Sequence, residues 1–172
     1  MSSEPDETFD VFLSHAHTEA EAVESIAVRL QDTFRLRVWL DRWILIPGQH
    51  WQQELARGLD QAKTCAVCVG SNTPSGWFRE EIERALNRQT RDKAFRVIPV
   101  ILPEGHRGSI DDFLELRTWV DFRKGLEDED RHCYRVSRSS WCGNRLFHCR
   151  QTLFGSGYAL LATFVPTARL AR

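Results

Sequence analysis

Two kinds of apolar pattern alternate along the chain as far as Phe122. Short runs rich in β-branched and aromatic residues, Phe9–Leu13, Leu36–Leu40, Thr64–Val69 and Arg96–Leu102, predict strands. Between them the apolar positions fall at helical spacing. Val23, Ile26, Ala27 and Leu30 share a face within Glu19–Leu30, as do Trp51, Leu55, Leu59 and Ala62, and then Ile82, Ala85 and Leu86 within Trp77–Thr90. Thr64–Val69 has no polar alternation after its first residue, as expected of a central parallel strand covered on both faces. Pro99 cannot donate to a ladder, so the fourth strand is expected to be peripheral or bulged. Ser109–Leu116 reads as a short helix and Thr118–Phe122 as a last strand. Strands separated by helices make βαβ units, hence an α/β fold with a mostly parallel sheet and helices on both faces. Ligands of such sheets sit outside the carboxyl ends of the strands. The loops to inspect are therefore Ser14–Thr18, Asp41–His50, Gly70–Gly76 and the stretch after Leu102.

Composition adds a boundary. The 172 residues, 42% hydrophobic and 27% charged, suffice for one globular domain with an appendage. A net charge of −1 argues against a dedicated nucleic-acid binder. That charge is unevenly placed. All 24 acidic residues lie at or before Asp130, against 16 basic ones there, for a net −8. Residues 131–172 carry seven Arg, no acid, and Cys133, Cys142 and Cys149. We therefore read a domain over 8–130 and a divergent, basic, Cys-containing tail over 131–172 that is irregular or replaces a last helix. The longest apolar stretch, near Tyr158–Val165, is too short to cross a bilayer, so no membrane partner is expected. The acidic Met1–Glu7 resembles neither a signal nor a transit peptide, which implies a cytoplasmic location and reduced thiols.

Several α/β chemistries are excluded at the expected loops. No GxGxxG follows the first strand, and there is no phosphate-cradling GxxxxGK[ST] and no GxSxG elbow. A phospho-acceptor receiver would place acids at the ends of the first and third strands, where this chain has Ser14-His15 and Gly70-Ser71. Cys65 and Cys68, three apart on a strand, face opposite sides of the sheet and cannot hold one ion. Cys133, Cys142, His148 and Cys149 match no tight zinc knuckle, so no metal is expected.

Four blocks in order, FDVFLSHA (Phe9–Ala16), RVWLDRWILIPGQHW (Arg37–Trp51), CAVCVGSNTPSGWFREEIERAL (Cys65–Leu86) and RVIPVIL (Arg96–Leu102), together resemble a TIR (Toll/interleukin-1 receptor) domain of bacterial type. The resemblance implies a flavodoxin-like five-stranded parallel sheet. It aligns Asp41, Trp43, Leu45, Pro47 and Gly48 with the family's loop after the second strand. It also implies an activity, because many bacterial and plant members cleave NAD⁺ between nicotinamide and ribose with a Glu four residues after a Trp. Here that Glu is Glu81 and the Trp is Trp77, with Phe78 for the usual Cys and Ile82 for the usual Leu. Ser14, His15, Asp41, Trp43 and Ser71 join Trp77 as expected substrate-binding residues. NAD⁺ is then the substrate and no cofactor is needed.

One carboxylate suits that chemistry. Nicotinamide leaves a pyridinium as a neutral molecule, so no acid need protonate it, and one anion can stabilise the positive ribose. The resemblance further implies activation by self-association with other TIR domains. Ile44, Leu45, Ile46, Pro47 and Gly48 would form the contact loop, and a separate sensor protein would supply the trigger in signalling or anti-phage defence. Whether the product is ADP-ribose or a cyclic variant stays open. Plainer readings stand beside each assignment. Glu81 with Glu83 and Arg84 also fits a solvated helix face, Trp77 a core residue, Ser14-His15 a helix cap, and Asp41 and Trp43 loop-shaping residues. A non-catalytic module acting by TIR–TIR contact is the alternative function.

Overall fold

The computed structural model describes residues 8–45, 50–72, 75–105 and 119–126. The expected helix at Ser109–Leu116, the loop residues Ile46, Pro47 and Gly48, and the tail from 131 lie outside them.

The elements run β1 (Val11–His15), a 3-10 turn (His17–Glu19), α1 (Ala20–Phe34), β2 (Val38–Trp39), a one-turn α2 (Asp41–Ile44), α3 (Trp51–Gln61), β3 (Thr64–Val69), α4 (Gly76–Arg91), β4 (Arg96–Ile101) and β5 (Val120–Asp121). The strands form one sheet in the order β2-β1-β3-β4-β5, and every pairing is parallel. This is the five-stranded flavodoxin-like winding. Strand order reverses between β1 and β3, so the crevice for a ligand lies at the carboxyl ends of those two strands.

Right-handed crossovers decide which helix covers which face. The step from β1 out to β2 puts α1 on one side. The steps back across the sheet, β2 to β3 and β3 to β4, put α3 and α4 together on the other. The side chains sort accordingly. Val11 and Leu13 of β1, with Ala66 and Cys68 of β3, pack with Val23, Ile26, Ala27 and Leu30 of α1. Phe12, Cys65, Val67 and Val69 pack with Leu59 of α3 and with Phe78, Ile82 and Ala85 of α4. Cys65 and Cys68 therefore do lie on opposite faces, both buried and free. Trp39 stacks on Phe12 with ring centroids 4.4 Å apart. Its indole also lies where a β-carbon at position 58 would stand, so glycine there lets α3 approach β2 closely.

The expectation for Pro99 is overturned. β4 is an inner strand between β3 and β5, paired without a bulge from Arg96 to Ile101. Backbone hydrogen-bonding direction alternates along a strand, and Leu102 donates to Val69 of β3. Pro99, three residues earlier, turns its nitrogen the other way, toward β5. Among the described residues that strand pairs only with Val100 and Ile101, so the missing N–H interrupts nothing on the β3 side.

Candidate functional site

The row of β1 side chains that contributes Phe12 to the α3/α4 face continues to Ser14, at the carboxyl end of the strand. Ser14 is buried. Its hydroxyl donates a 2.6 Å hydrogen bond to Oε2 of Glu81, 67 residues away in sequence. Glu81 reaches it because α4 turns its Phe78–Ile82–Ala85 stripe onto the sheet. Glu81 lies between Phe78 and Ala85 on the helix, so its carboxylate is drawn to the inner side. Gly76, at φ +55, provides the left-handed turn from which α4 starts.

Burial pushes the Glu81 carboxyl up, and the charge of Asp41 adds to the rise, while the Ser14 hydrogen bond partly offsets both. The outcome is a pKa of about 7. Asp41 opens α2 directly after β2. Its Oδ1 lies 3.8 Å from Nε2 of His15, whose side chain is only 4% exposed. The other ring nitrogen of His15 is 3.5 Å from the Leu13 carbonyl. His15 thus ties the end of β1 to α2 and is largely shielded from solvent.

Glu81 also lines a cleft of about 630 Å³ between α3 and α4, with Trp77 beside it. Trp77 and Glu81 stand one turn apart on the same wall, as their spacing requires. Trp77 is 49% exposed and meets Trp51, at the start of α3, edge to face at 5.1 Å. Trp51 reads in the sequence only as one apolar position of a helix, and the one signal for more is that it opens that helix beside the expected loop.

Of the remaining expected site residues, the described ones make other contacts. Trp43 donates from Nε1 to Glu24 of α1 at 3.1 Å, and Arg42 pairs with the same carboxylate at 2.9 Å. Glu24 thereby pins α2 to α1. Ile44 and Leu45 are partly buried against the α3/α4-side core, so their apolar surface is largely used within the domain. Ser71 is exposed, and its backbone N–H donates to Glu19 Oε1 at 3.3 Å. The Glu19 carboxylate lies over Gly70 where a β-carbon would stand, so any side chain there would have to displace it. Sequence reasoning missed Glu19; an acid immediately after the ligand-bearing loop Ser14–Thr18 is its signal.

The constellation is a carboxyl group poised near neutrality, oriented by a serine, at the open end of an aromatic-walled cleft. Such a group can bind a cation, stabilise developing positive charge, or accept a proton. The chain around it matches the family model described as TIR domain over residues 11–136. The chain belongs to the TIR domain family. Its fold is similar to the TIR domain of the Toll-related receptor TRR-2 from Hydra magnipapillata, at 16% identity and a TM-score of 0.54, over 67% of this chain and 86% of that one. It is also similar to the TIR domains of the activated Roq1 resistosome that directly recognizes the pathogen effector XopQ. There the identity is 23% and the TM-score 0.49, over 55% of this chain and 58% of that one. Among curated proteins no sequence matches this TIR domain. No helix among its described residues is long and apolar enough to cross a membrane.

Proposed function

We propose that this TIR domain cleaves NAD⁺ between nicotinamide and ribose, with Glu81 as the catalytic carboxylate. The observation that supports this reading best is Glu81 itself: partly buried, held by Ser14, and still lining an open cleft beside Trp77.

In the reaction the C1′–N bond breaks and its electron pair stays with the pyridine nitrogen, so nicotinamide departs neutral. Positive charge appears at C1′ and the ring oxygen, and ionised Glu81 stabilises it. Water then attacks C1′ and gives up a proton, for which a carboxylate with a pKa near 7 is a suitable acceptor. The products are nicotinamide, ADP-ribose and a proton. Capture of the same cation by the adenine of the substrate would give a cyclic product. The pyridinium of bound NAD⁺ favours ionised Glu81, offsetting the effect of burial. We place this activity in the cytoplasm, in bacterial signalling or anti-phage defence. Self-association of TIR domains would switch it on under the control of a separate sensor.

The test is nicotinamide release from NAD⁺ by concentrated or bead-tethered protein. Wild type should release it and Glu81→Gln should not. Equal release by both moves catalysis elsewhere. No release by wild type under forced association returns the protein to the non-catalytic class that acts by TIR–TIR contact.

A further inference from the structure

The α3/α4 cleft runs on past Glu81, and its charge changes sign along the way. Near the start of α4 it is lined by Glu80, Glu81 and Glu83, and farther along by Arg84, Arg88 and Arg91. We propose that the arginine-bearing end binds the pyrophosphate of a dinucleotide whose cationic nicotinamide riboside occupies the acidic end. This rests on the cleavage reading and extends it, by assigning phosphate-binding residues and an orientation to the substrate.

The two polarities match. A nicotinamide dinucleotide carries a pyridinium at one end and a pyrophosphate further along, and the cleft presents carboxylates and then guanidiniums in the same order. The spacing matches as well. With C1′ at Glu81, five bonds of about 1.5 Å lead to the first phosphorus, which puts it about 6 Å away and the second a few ångströms beyond. At about 1.5 Å rise per residue, Arg84 stands roughly 4.5 Å and Arg88 roughly 10 Å farther along α4 than Glu81. The phosphates fall between them.

The three arginines are differently prepared. Arg88 is already fixed, donating to the Leu59 carbonyl and lying 4.1 Å from the centre of the Phe95 ring. A guanidinium has five N–H donors in a planar fork, so one carbonyl does not saturate it. Arg84 pairs across the cleft with Asp60 at 2.8 Å, both side chains half exposed, and such a pair opens at little cost. Arg91 is exposed and pairs with no carboxylate among the described residues. Asp60 is then the group that competes with phosphate for Arg84.

ADP-ribose is the probe, because it keeps the pyrophosphate and lacks the pyridinium. Titrated into the full chain by calorimetry, it should bind, and more weakly as salt is raised. Arg84→Ala combined with Arg91→Ala should weaken binding at least tenfold. Arg57→Ala, an exposed α3 charge that does not line the cleft, should leave it unchanged. Asp60→Asn, which frees Arg84, should tighten binding severalfold, a gain that misfolding cannot produce. No binding by wild type, equal binding by the double variant, or no tightening in Asp60→Asn overturns the proposal. The two readings fail separately. ADP-ribose binding that follows the arginines without nicotinamide release leaves the phosphate site standing and removes the cleavage. Nicotinamide release with an unaltered KM for NAD⁺ in the double variant does the reverse.

Discussion

The two faces of the sheet begin alike and end differently. Toward α1, Val11 and Leu13 are followed by a sealed packing of Val23, Ile26, Ala27 and Leu30, all at or near zero exposure. Toward α3 and α4, Phe12 stacks on Trp39, but the next residue in the row is Ser14, and its partner is a carboxylate. The α1 face is mostly hydrocarbon, with Thr64 and Cys68 of β3 and His15 at the end of β1 as its polar members. The other is hydrocarbon that gives way, at the carboxyl edge of the strands, to a charged cleft. The site is thus the last step of a core row, and Glu81 takes its position from the same packing that fixes Phe78, Ile82 and Ala85.

The largest effect expected from this contrast is on rate. Glu81→Gln should lower nicotinamide release about 10²–10³-fold while circular dichroism stays native, the loss typical of removing one preorganised electrostatic group. Leu30→Ala on the sealed face should leave the rate per folded molecule nearly intact. A loss of activity in both alike would erase the distinction between the faces.

Stability should show the opposite ranking. Leu30→Ala opens a cavity at a fully buried position and should cost about 2–5 kcal/mol in urea unfolding. Leu55→Ala, on a partly buried residue lining the cleft, should cost about 1 kcal/mol or less, because solvent already reaches that wall. Equal costs would mean that the cleft side is as tightly closed as the α1 side.

The pH dependence follows from Glu81. Its proton is held to about pH 7 in the folded chain but only to about 4.5 when the chain is unfolded. Between those values the folded state binds the extra proton, so stability falls as pH rises through that window. Glu81→Gln removes the buried charge. It should therefore be more stable than wild type above pH 7, by on the order of 3 kcal/mol at most, and equal to it below about pH 4.5. Coincident thermal melts of the two at pH 8 would contradict a carboxyl group held out of water. In the same direction, Ser14→Ala removes the bond that lowers this pKa, so the rising limb of kcat/KM should move to higher pH. A limb that stays in place would detach Ser14 from the titrating group.

The smallest effect belongs to the edge of the site. Glu24→Gln weakens the hold on Arg42 and Trp43, an exposed arrangement worth less than about 1 kcal/mol. Trp43 fluorescence and faster amide exchange in α2 are the readouts, with little change in global unfolding.

Much of the fold is legible in the pattern of residues, for reasons the structure makes plain. Thr64–Val69 is apolar after its first residue because both of its faces are covered, and its limits as an element match the sequence reading. The opposite faces of Cys65 and Cys68 follow from the period of a strand alone. Pro99 misleads because its consequence depends on a neighbour. Whether a missing N–H matters is decided by which strand that N–H would have faced, and a single segment cannot tell. The pairing of Ser14 with Glu81 is similarly invisible, since it depends on two elements 67 residues apart meeting at one edge. Ile44 and Leu45 look like outward apolar residues in a loop, yet the short α2 folds them back onto the core. The arginine row of α4 is not legible in the sequence, because Arg84, Arg88 and Arg91 resemble any solvated helix face until α3 is set opposite them.

Burial drives the Cys65 thiol well above its ordinary range and takes Cys68 to about 12, with the Glu19 charge adding to the latter. Neither sulfur presents a thiolate while the sheet is closed. Their alkylation, followed peptide by peptide, is therefore a clock for the opening of β3, the central strand, and it runs on the native chain without an introduced label.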